Sequence, residues 1–308
     1  MLTEKQLHDR RKGIGGSDIG IIMGCQEDTT AAFKGKSIVD IYLSKVDPLY
    51  ENKINDSMAF GNHIEEFIVR MFETKTGWSV VRENATRKST THPILIGNID
   101  GFIPTVNAVL EVKNVDPSKA WLWGEDGSDE IPEYYLYQCA HYAHVYNVQK
   151  VYIAAYFGGA RFKIYLFERN MDLEKIIINK AEKFWADHVE KRVPPKPEDY
   201  EDCSKVYASS IAKSEHVADQ DIQESINELI SVQASIKDMS EKENSLKTKI
   251  CSAMESNEIL LSMNGDKLAT WKTQTARRID TTKLKAEYPD IASAVTTEST
   301  SRVFRVSK

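Results

Sequence analysis

Residues 97–113 read GNIDGFIPTVNAVLEVK, and charged side chains interrupt this otherwise apolar stretch. Asp100 ends a short apolar run, and Glu111 and Lys113 lie within a second run of β-forming residues. Charged residues are uncommon in strands this apolar unless they face water or take part in chemistry. The position of these three side chains relative to one another therefore decides how the stretch is interpreted.

Glu111 and Lys113 share one face of the predicted strand, because side chains alternate between the two faces. The residues on the opposite face are apolar: Leu110 and Val112. A tight connection around residues 104–107 would return the chain as an antiparallel hairpin. In such a hairpin, residues at equal distances from the connection lie opposite each other. This predicts that Asp100 lies opposite Glu111.

Two carboxylates directly opposite each other repel, and a divalent cation between them removes this cost. Mg²⁺ takes oxygen ligands, commonly one or two carboxylates with waters and phosphate. Lys113, on the same face, would orient or deprotonate an attacking water. The pattern favours metal-dependent phosphodiester hydrolysis. The alternative is an exposed sheet face that carries a Glu–Lys ion pair.

Two further residues are candidates to assist this site. Glu65 lies four residues after Gly61 on a predicted helix, where glycine allows another backbone to approach. It is either a third acidic ligand or a solvated helix charge. Gln138, on the predicted helix 132–146, would reach the attacking water or a phosphate. His141 and His144 are spaced to bind metal, but packing or DNA contact is the preferred interpretation.

A glycine-rich turn, residues 13–18 (GIGGSD), precedes a short apolar helix. Amides at a helix N-terminus attract a phosphate, and arginine binds one through two nitrogens. Arg10, Arg11 and Ser17 are therefore candidates for a terminal-phosphate pocket. The alternative is a capped turn with solvated basic residues. The turn is not a P-loop, since no Gly-Lys-Ser/Thr follows the glycines.

Composition excludes several classes of protein. The chain has 308 residues, 41% hydrophobic and 28% charged, with a net charge of −6. This charge argues against nonspecific coating of nucleic acid but not against a local DNA groove. The polar N-terminus and the short apolar runs predict a cytoplasmic protein that does not associate with membranes. The four cysteines show no metal-binding spacing and are expected to be free thiols.

Periodicity predicts an α/β core with a central mixed sheet flanked by helices. The predicted strands are 78–82, 94–102, 108–113, 150–157 and 161–168. The predicted helices of the core are an N-terminal one capped by Thr3 and Gln6, one after Ser37, and 56–75, 132–146 and 173–192.

Beyond a proline-rich linker at residues 193–200, a helix is predicted over 221–256. Its apolar heptads fit a helix packed along a partner surface or a short coiled coil, but burial within the same chain is the commoner outcome for such a helix. The tail reads as a hairpin around Asn264-Gly265-Asp266, a short helix and a last strand at 302–306. We predict three regions: 1–197 as the enzymatic domain, 198–258 as linker and long helix, and 259–308 as a small α/β unit.

Five motifs in order resemble the YqaJ-type viral recombinase family, which is related to phage lambda exonuclease within the PD-(D/E)xK nucleases. They are Arg10 with residues 13–18, Phe60-Gly61 with Glu65, Asp100-Gly101, Glu111-Val112-Lys113, and Gln138. The resemblance covers residues 8–190. It implies a restriction-endonuclease-like fold and digestion of double-stranded DNA from the 5′ end. The product would be 3′ single strands for an annealing protein in phage-type recombination.

The resemblance also implies a role for each matching position. Two Mg²⁺ ions, with Mn²⁺ as a possible substitute, would be held by Asp100, Glu111, the Val112 carbonyl and Glu65. Lys113 would activate water with help from Glu65 and Gln138. The 5′-phosphate would be held by Arg10 and Ser17, with Arg11 as the alternative arginine.

The chain also departs from the family pattern. Asn98 stands where the lambda enzyme has a serine and would still contact a phosphate, and Ala140 replaces a second glutamine. The family implies a homo-oligomer, a trimer in the lambda enzyme. Two other functions remain open: an endonuclease or junction-cleaving nuclease with the same core, and a non-catalytic scaffold that recruits an annealing protein.

Overall fold

The structure, a computed structural model, describes residues 9–25, 36–48, 50, 56–83, 85–159, 161–298 and 300–307, with the backbone alone at 56–59 and 62. These residues form two compact units, Met1–Val206 and Tyr207–Lys308. The helix predicted from Thr3 and Gln6 lies largely outside the described residues.

The first unit alternates helices and strands. Its helices are α1 (Gly16–Met23), α2 (Ile38–Val46), α3 (Asp56–Thr76), α4 (Glu133–Tyr146), α5 (Met171–Phe184) and α6 (Tyr200–Val206). Its strands are β1 (Arg87–Lys88), β2 (Ile96–Gly97), β3 (Gly101–Ile103), β4 (Ala108–Asn114), β5 (Lys150–Tyr156) and β6 (Phe162–Glu168). Short 3₁₀ turns cover Pro104–Val106 and Pro117–Leu122, and α5 continues as a π-helical turn, Trp185–Glu190.

The central sheet has four strands in the order β3-β4-β5-β6. The outer pairs β3–β4 and β5–β6 are antiparallel, and the central pair β4–β5 is parallel. Helix α4 makes the crossover that a parallel pair requires. β1 and β2 form a separate antiparallel pair. The predicted mixed sheet flanked by helices is confirmed.

Each face of the sheet packs against its own helices. Val109, Val151 and Ile153 lie in one core cluster with residues of α1, α2, α4 and α5. Leu110 and Ala154 lie in a second cluster with Ile68 and Phe72 of α3. Neighbouring residues of β4 and β5 thus enter different cores, because side chains alternate across a strand. Both faces of the sheet are covered by helices.

Two predicted strands differ from the structure. The stretch 78–82 forms no strand, and only Val81 bridges to Phe102. The amide of its neighbour Val80 donates instead to the Glu73 carboxylate, at 2.8 Å. The predicted strand 94–102 is divided into β2 and β3. The break falls at residues 98–100 because the chain leaves its pairing with β1 and begins its pairing with β4.

The second unit consists of helix α7 (Gln220–Met254), the hairpin strands β7 (Ile259–Leu261) and β8 (Lys267–Thr270), and helices α8 (Thr281–Glu287) and α9 (Pro289–Ala294). The predicted hairpin closes at Gly265, whose φ is +88°. The strand predicted over 302–306 does not form; residues 300–307 have no regular structure. Within α7 only Met254 is buried, so α7 is not the core helix of its unit.

Candidate active site

The β3–β4 hairpin places Asp100 and Glu111 opposite each other. Gly101 pairs with Leu110 and Ile103 with Ala108, and this register continued by one residue pairs Asp100 with Glu111. The Asp100 carboxylate also accepts a hydrogen bond from the Val112 amide at 2.7 Å, which ties it to β4. The structure therefore confirms the predicted pairing of β3 with β4, in which Asp100 lies opposite Glu111 across the connection at residues 104–107.

Three polar side chains meet on the β4 face that α4 covers. The Lys113 ammonium lies 2.5 Å from Oε1 of Glu111 and 3.1 Å from Oε1 of Gln138. The Gln138 amide nitrogen donates to the same glutamate oxygen at 2.8 Å. Because the amide accepts from Lys113 and donates to Glu111, its orientation is determined by both neighbours. The structure thus brings Gln138 to the predicted pair.

Glu111 is only 4% exposed, and its second oxygen, Oε2, is buried without a hydrogen-bond partner among the described residues. A buried carboxylate oxygen without a partner is costly and marks a position where a donor or cation fits. Mg²⁺ is commonly held by one or two carboxylates, so Asp100 and Glu111 suit it as ligands.

The charges at the site raise two pKa values. Burial, together with the negative charges of Glu111 and Glu65, raises the pKa of Asp100 well above its ordinary value. Burial alone would lower the pKa of Lys113, but the charge and hydrogen bond of Glu111, together with Tyr135 and Asp100, outweigh burial and hold that pKa above its usual range. Lys113 is therefore a cation in this arrangement, and its ammonium lies 4.6 Å from the centroid of the Tyr135 ring. A cation near Asp100 would relieve the repulsion between the carboxylates.

Glu65 lies beside the site, where its carboxylate is paired with an arginine. Its carboxylate forms a short ion pair with Arg82, and Arg82 also donates to the Asp100 main-chain carbonyl at 2.5 Å. Throughout the part of the chain that the structure describes, no three His, Cys, Asp or Glu side chains converge to hold a metal. The two facing carboxylates and the Val112 peptide form the candidate site, and Glu65 is paired with Arg82.

Gly61, four residues before Glu65, was expected to permit the close approach of another backbone. An added Cβ at Gly61 would meet no described atom within 4 Å, so among the described residues no backbone approaches it closely. A close approach does require glycine in α1, where a Cβ added at Gly20 would lie 2.1 Å from the Tyr134 ring.

The glycine-rich turn caps α1 with Asp18. The Gly15 amide donates to the Asp18 carboxylate at 3.1 Å, and Asp18 pairs with Lys45 at 2.8 Å and Lys36 at 3.5 Å. Burial would raise the pKa of Asp18, but Lys45, Lys36 and Arg10 hold it far below its ordinary value. Three cations thus surround one carboxylate. The excess positive charge at this helix N-terminus suits an anion.

Arg10 and Arg11 point to different partners. An Arg10 guanidinium nitrogen lies 2.5 Å from the Ser17 hydroxyl oxygen, whereas Arg11 reaches the Tyr50 carbonyl at 3.5 Å. The structure therefore places Arg10, and not Arg11, beside Ser17.

Tyr142 joins the turn to the carboxylate site. Its hydroxyl accepts from the Gln138 amide at 3.1 Å and donates to the Asn98 carbonyl at 3.0 Å. A Cβ added at Gly16 would lie 2.9 Å from the same hydroxyl oxygen. Sequence reasoning missed Tyr142. The available signal was its position four residues after Gln138, which places both on one helical face.

The remaining polar residues considered in the sequence, Asn98, His141 and His144, form hydrogen bonds within the first unit. The Asn98 side-chain oxygen accepts from Thr86 Oγ1 at 2.8 Å, next to the break between β2 and β3. His141 is buried and bonds the Ile96 carbonyl at 2.8 Å. His144 lies 2.9 Å from the Ser89 hydroxyl and 3.4 Å from a Glu174 carboxylate oxygen. For both histidines packing or DNA contact was preferred over metal binding, and both make hydrogen bonds within the first unit.

The fold and site together define an α/β protein of the restriction-endonuclease-like class, with two facing carboxylates and a lysine on its central hairpin. Residues 5–149 match the YqaJ-like viral recombinase domain, which confirms the resemblance predicted from the motifs. The protein YqaJ of Bacillus subtilis (strain 168) is 28% identical over 314 residues, covering 99% of this chain and 94% of that protein.

A solved structure with a similar fold is the alkaline exonuclease LHK-Exo of Laribacter hongkongensis. It superposes with a TM-score of 0.50 at 16% identity, over 62% of this chain and 94% of that chain. The structure of LHK-Exo in complex with dAMP gives a TM-score of 0.51 at 15% identity, over 67% and 98%. Among the helices described here, none is long and apolar enough to cross a bilayer.

Proposed function

We propose that this chain is a Mg²⁺-dependent exonuclease that digests one strand of double-stranded DNA in the 5′-to-3′ direction. It would start at a 5′-phosphorylated end and leave 3′ single strands for an annealing protein. The observation that carries the proposal is the facing pair Asp100 and Glu111, with an unpartnered buried oxygen on Glu111 and the Lys113 cation beside it. We further propose a homo-oligomer, a trimer as the family resemblance implies.

Asp100 and Glu111 would hold Mg²⁺, with the Val112 carbonyl as a further ligand and Mn²⁺ as a possible substitute. The metal would supply Lewis-acid stabilisation of the phosphate and of the charge that develops on it. Glu65 would join the ligands if Arg82 released it, and Arg82 would then be free to contact a phosphate.

Lys113 and Gln138 would position the attacking water. The ammonium and the amide converge on one carboxylate oxygen, so a water near that oxygen meets a cation and an oriented dipole. Such positioning lowers the entropic cost of reaching the transition state. The positive charge on Lys113 would also stabilise the negative charge that builds up on the phosphate.

Arg10, Ser17 and the N-terminus of α1 would anchor the 5′-phosphate. Lys36, Lys45 and Arg10 outnumber the Asp18 carboxylate, which favours an anion at this position. Tyr142 lies against both this turn and Gln138, so a terminal phosphate and a scissile bond would be bound near each other. That LHK-Exo is described as an alkaline exonuclease, with dAMP bound in one structure, supports an exonuclease role.

The decisive experiment compares linear duplex labelled at one end with covalently closed circular duplex, using purified protein and Mg²⁺. We expect 5′-to-3′ shortening of the linear DNA and no cutting of the circle. Lys113→Ala should reduce the rate by about 10²–10⁴-fold, the usual contribution of a residue that acts on the reacting water. Lys119→Ala, a change at a half-buried lysine of the 3₁₀ turn that follows β4, serves as the control. Cutting of the circle would favour the endonuclease, and full activity of Lys113→Ala would refute the mechanism.

The phosphate anchor is tested with 5′-phosphorylated and 5′-hydroxyl ends. Arg10→Ala should reduce the preference for the phosphorylated end by about 10- to 100-fold, the value of a charge-assisted hydrogen bond. Arg11→Ala is the matched control, because Arg11 contacts the Tyr50 carbonyl and not Ser17. An equal loss on both kinds of end would show that Arg10 does not read the phosphate.

A further inference from the structure

Helix α7 exposes an apolar face that no other described part of its own unit covers. It comprises 35 residues, which corresponds to a length of about 50 Å. Only Met254 is buried, whereas Ile236 is 63% and Met239 68% exposed near the middle of the helix. An apolar stripe of this length on a solvated helix predicts a partner helix.

The apolar face follows a heptad repeat. One heptad position holds Ile222, Leu229, Ile236, Glu243 and Ile250, and the other holds Ser225, Val232, Met239, Leu246 and Ala253. Such an alternation is the seam of a two-stranded coiled coil. Glu243 is the one charged residue in the seam, and its carboxylate pairs with Lys247 on the same helix at 2.6 Å.

Charge argues against a parallel pair of two copies of α7. In a parallel pair in register, Glu243 would face Glu243 of the second copy in one layer of the seam. Flanking positions would also place Lys242 beside Lys247 of the second copy, because these positions contact each other across a parallel coiled coil. Like charges at both places destabilise the parallel arrangement.

An antiparallel pair removes both conflicts. Layers would then pair Leu229 with Leu246 and Ile236 with Met239 of the second copy, and Glu243 would face Val232. The two Glu243 side chains would be 11 residues apart along the axis, about 16 Å. In this register the two-fold axis between the helices passes within one residue of the middle of α7. The two helices therefore overlap along their whole length.

The flanking charges and the side-chain sizes fit the same register. Glu228 would lie next to Lys249 of the second copy, an attractive pair that occurs twice. At the ends, the large Ile222 faces the small Ala253, and Ile250 faces Ser225, which suits interdigitated packing. We propose that α7 docks on α7 of a second copy of this chain as an antiparallel two-stranded coiled coil. This interface is independent of the proposed nuclease activity.

The first test measures the mass of the full-length protein in solution by light scattering. We expect Ile236→Glu to halve the number of chains per particle, from two to one or, where the proposed trimer forms, from six to three. It should weaken association by about 100-fold or more, since it buries charge in the seam. Ala234→Glu adds the same charge on the opposite, exposed face and should leave the mass unchanged. Circular dichroism checks that both variants stay helical. A monomeric wild type, or an Ile236→Glu variant of unchanged mass, would overturn the proposal.

The second test determines the direction of pairing with a short bifunctional maleimide. The background chain carries Cys203→Ser and Cys251→Ser, which remove an exposed and a half-buried thiol. Leu229→Cys with Leu246→Cys in one chain should crosslink between copies, and either change alone should not. Crosslinking by Leu229→Cys alone would indicate a parallel pair, and no crosslinking of the double variant would contradict pairing through this face.

Discussion

At the scale of single residues, burial decides the charge of His141. His141 is 1% exposed; its Nε2 donates to the Ile96 carbonyl, and its Nδ1 has no partner in the described structure. The carbonyl only accepts, so Nε2 carries the proton in the neutral ring. Burial lowers the pKa of His141 to about 4. His141 is therefore neutral in the folded protein at neutral pH.

This neutral histidine predicts a loss of stability in mild acid. Between about pH 6.5 and pH 4 the unfolded chain binds a proton at His141 and the folded chain does not, so stability falls as pH falls. The free energy of unfolding should drop by about 2 kcal/mol from pH 8 to pH 5 through this group. Chemical denaturation of the first unit at several pH values measures it.

His141→Gln keeps a donor for the Ile96 carbonyl and removes the titrating group, so it should flatten this part of the pH dependence. His63→Gln, the same substitution at an exposed position of α3, is the matched control. An unchanged slope in His141→Gln would show that His141 is not responsible.

At the scale of elements, the contact between α1 and α4 depends on glycine. A Cβ added at Gly20 would lie 2.1 Å from the Tyr134 ring, and one at Gly16 would lie 2.7 Å from the Tyr142 ring. The Tyr134 hydroxyl also donates a short hydrogen bond to the Ser17 carbonyl. The glycines of α1 thus let the helix lie directly on the aromatic face of α4, which brings the basic turn beside Gln138.

Gly20→Ala should therefore destabilise the protein, because the methyl group displaces Tyr134 and overpacks the interface. We expect a cost of about 2 kcal/mol or more. Gly61→Ala is the matched control: it lies in α3 with no described atom near the added Cβ, and should stabilise by about 0.5–1 kcal/mol. Thermal unfolding compares the two variants. Equal stabilities would mean that the α1–α4 contact adjusts without cost.

At the scale of the whole molecule, α6 is anchored to the first unit. The Ser37 hydroxyl donates to Asp202 at 2.5 Å, and Lys205 pairs with Asp40 at 2.8 Å. Burial would raise the pKa of Asp40, but its hydrogen bonds from Lys205 and Tyr50 lower it. Asp202 is fully buried. The folded first unit thus continues through residue 206.

A fragment of residues 1–206 should accordingly be more stable than one of residues 1–197. The shorter fragment lacks α6 and leaves Ser37 and Asp40 without these partners. We expect a difference of about 2 kcal/mol, or about 4–8 °C in melting temperature. Differential scanning calorimetry measures it. Equal melting temperatures would show that α6 adds nothing to the first unit.

Local pattern predicted most of the elements that surround the site. The alternation in residues 109–113 correctly put Glu111 and Lys113 on one face, and helical periodicity correctly predicted α3 and α4. The strand at 78–82 was wrong because its apolar alternation does not show that Val80 bonds the Glu73 carboxylate. The strand at 302–306 was also wrong: residues 300–307 have no regular structure and pair with neither edge of the β7–β8 hairpin in the described structure.

The sequence by itself determined the side-chain types of the site and the face on which Glu111 and Lys113 lie, because the period of a strand is a local property. Only the tertiary structure decided that Arg10 and not Arg11 meets Ser17, that Arg82 holds Glu65, and that Tyr142 links the basic turn to Gln138. These contacts join residues far apart in the chain. They depend on how helices pack on the sheet, which local periodicity does not specify.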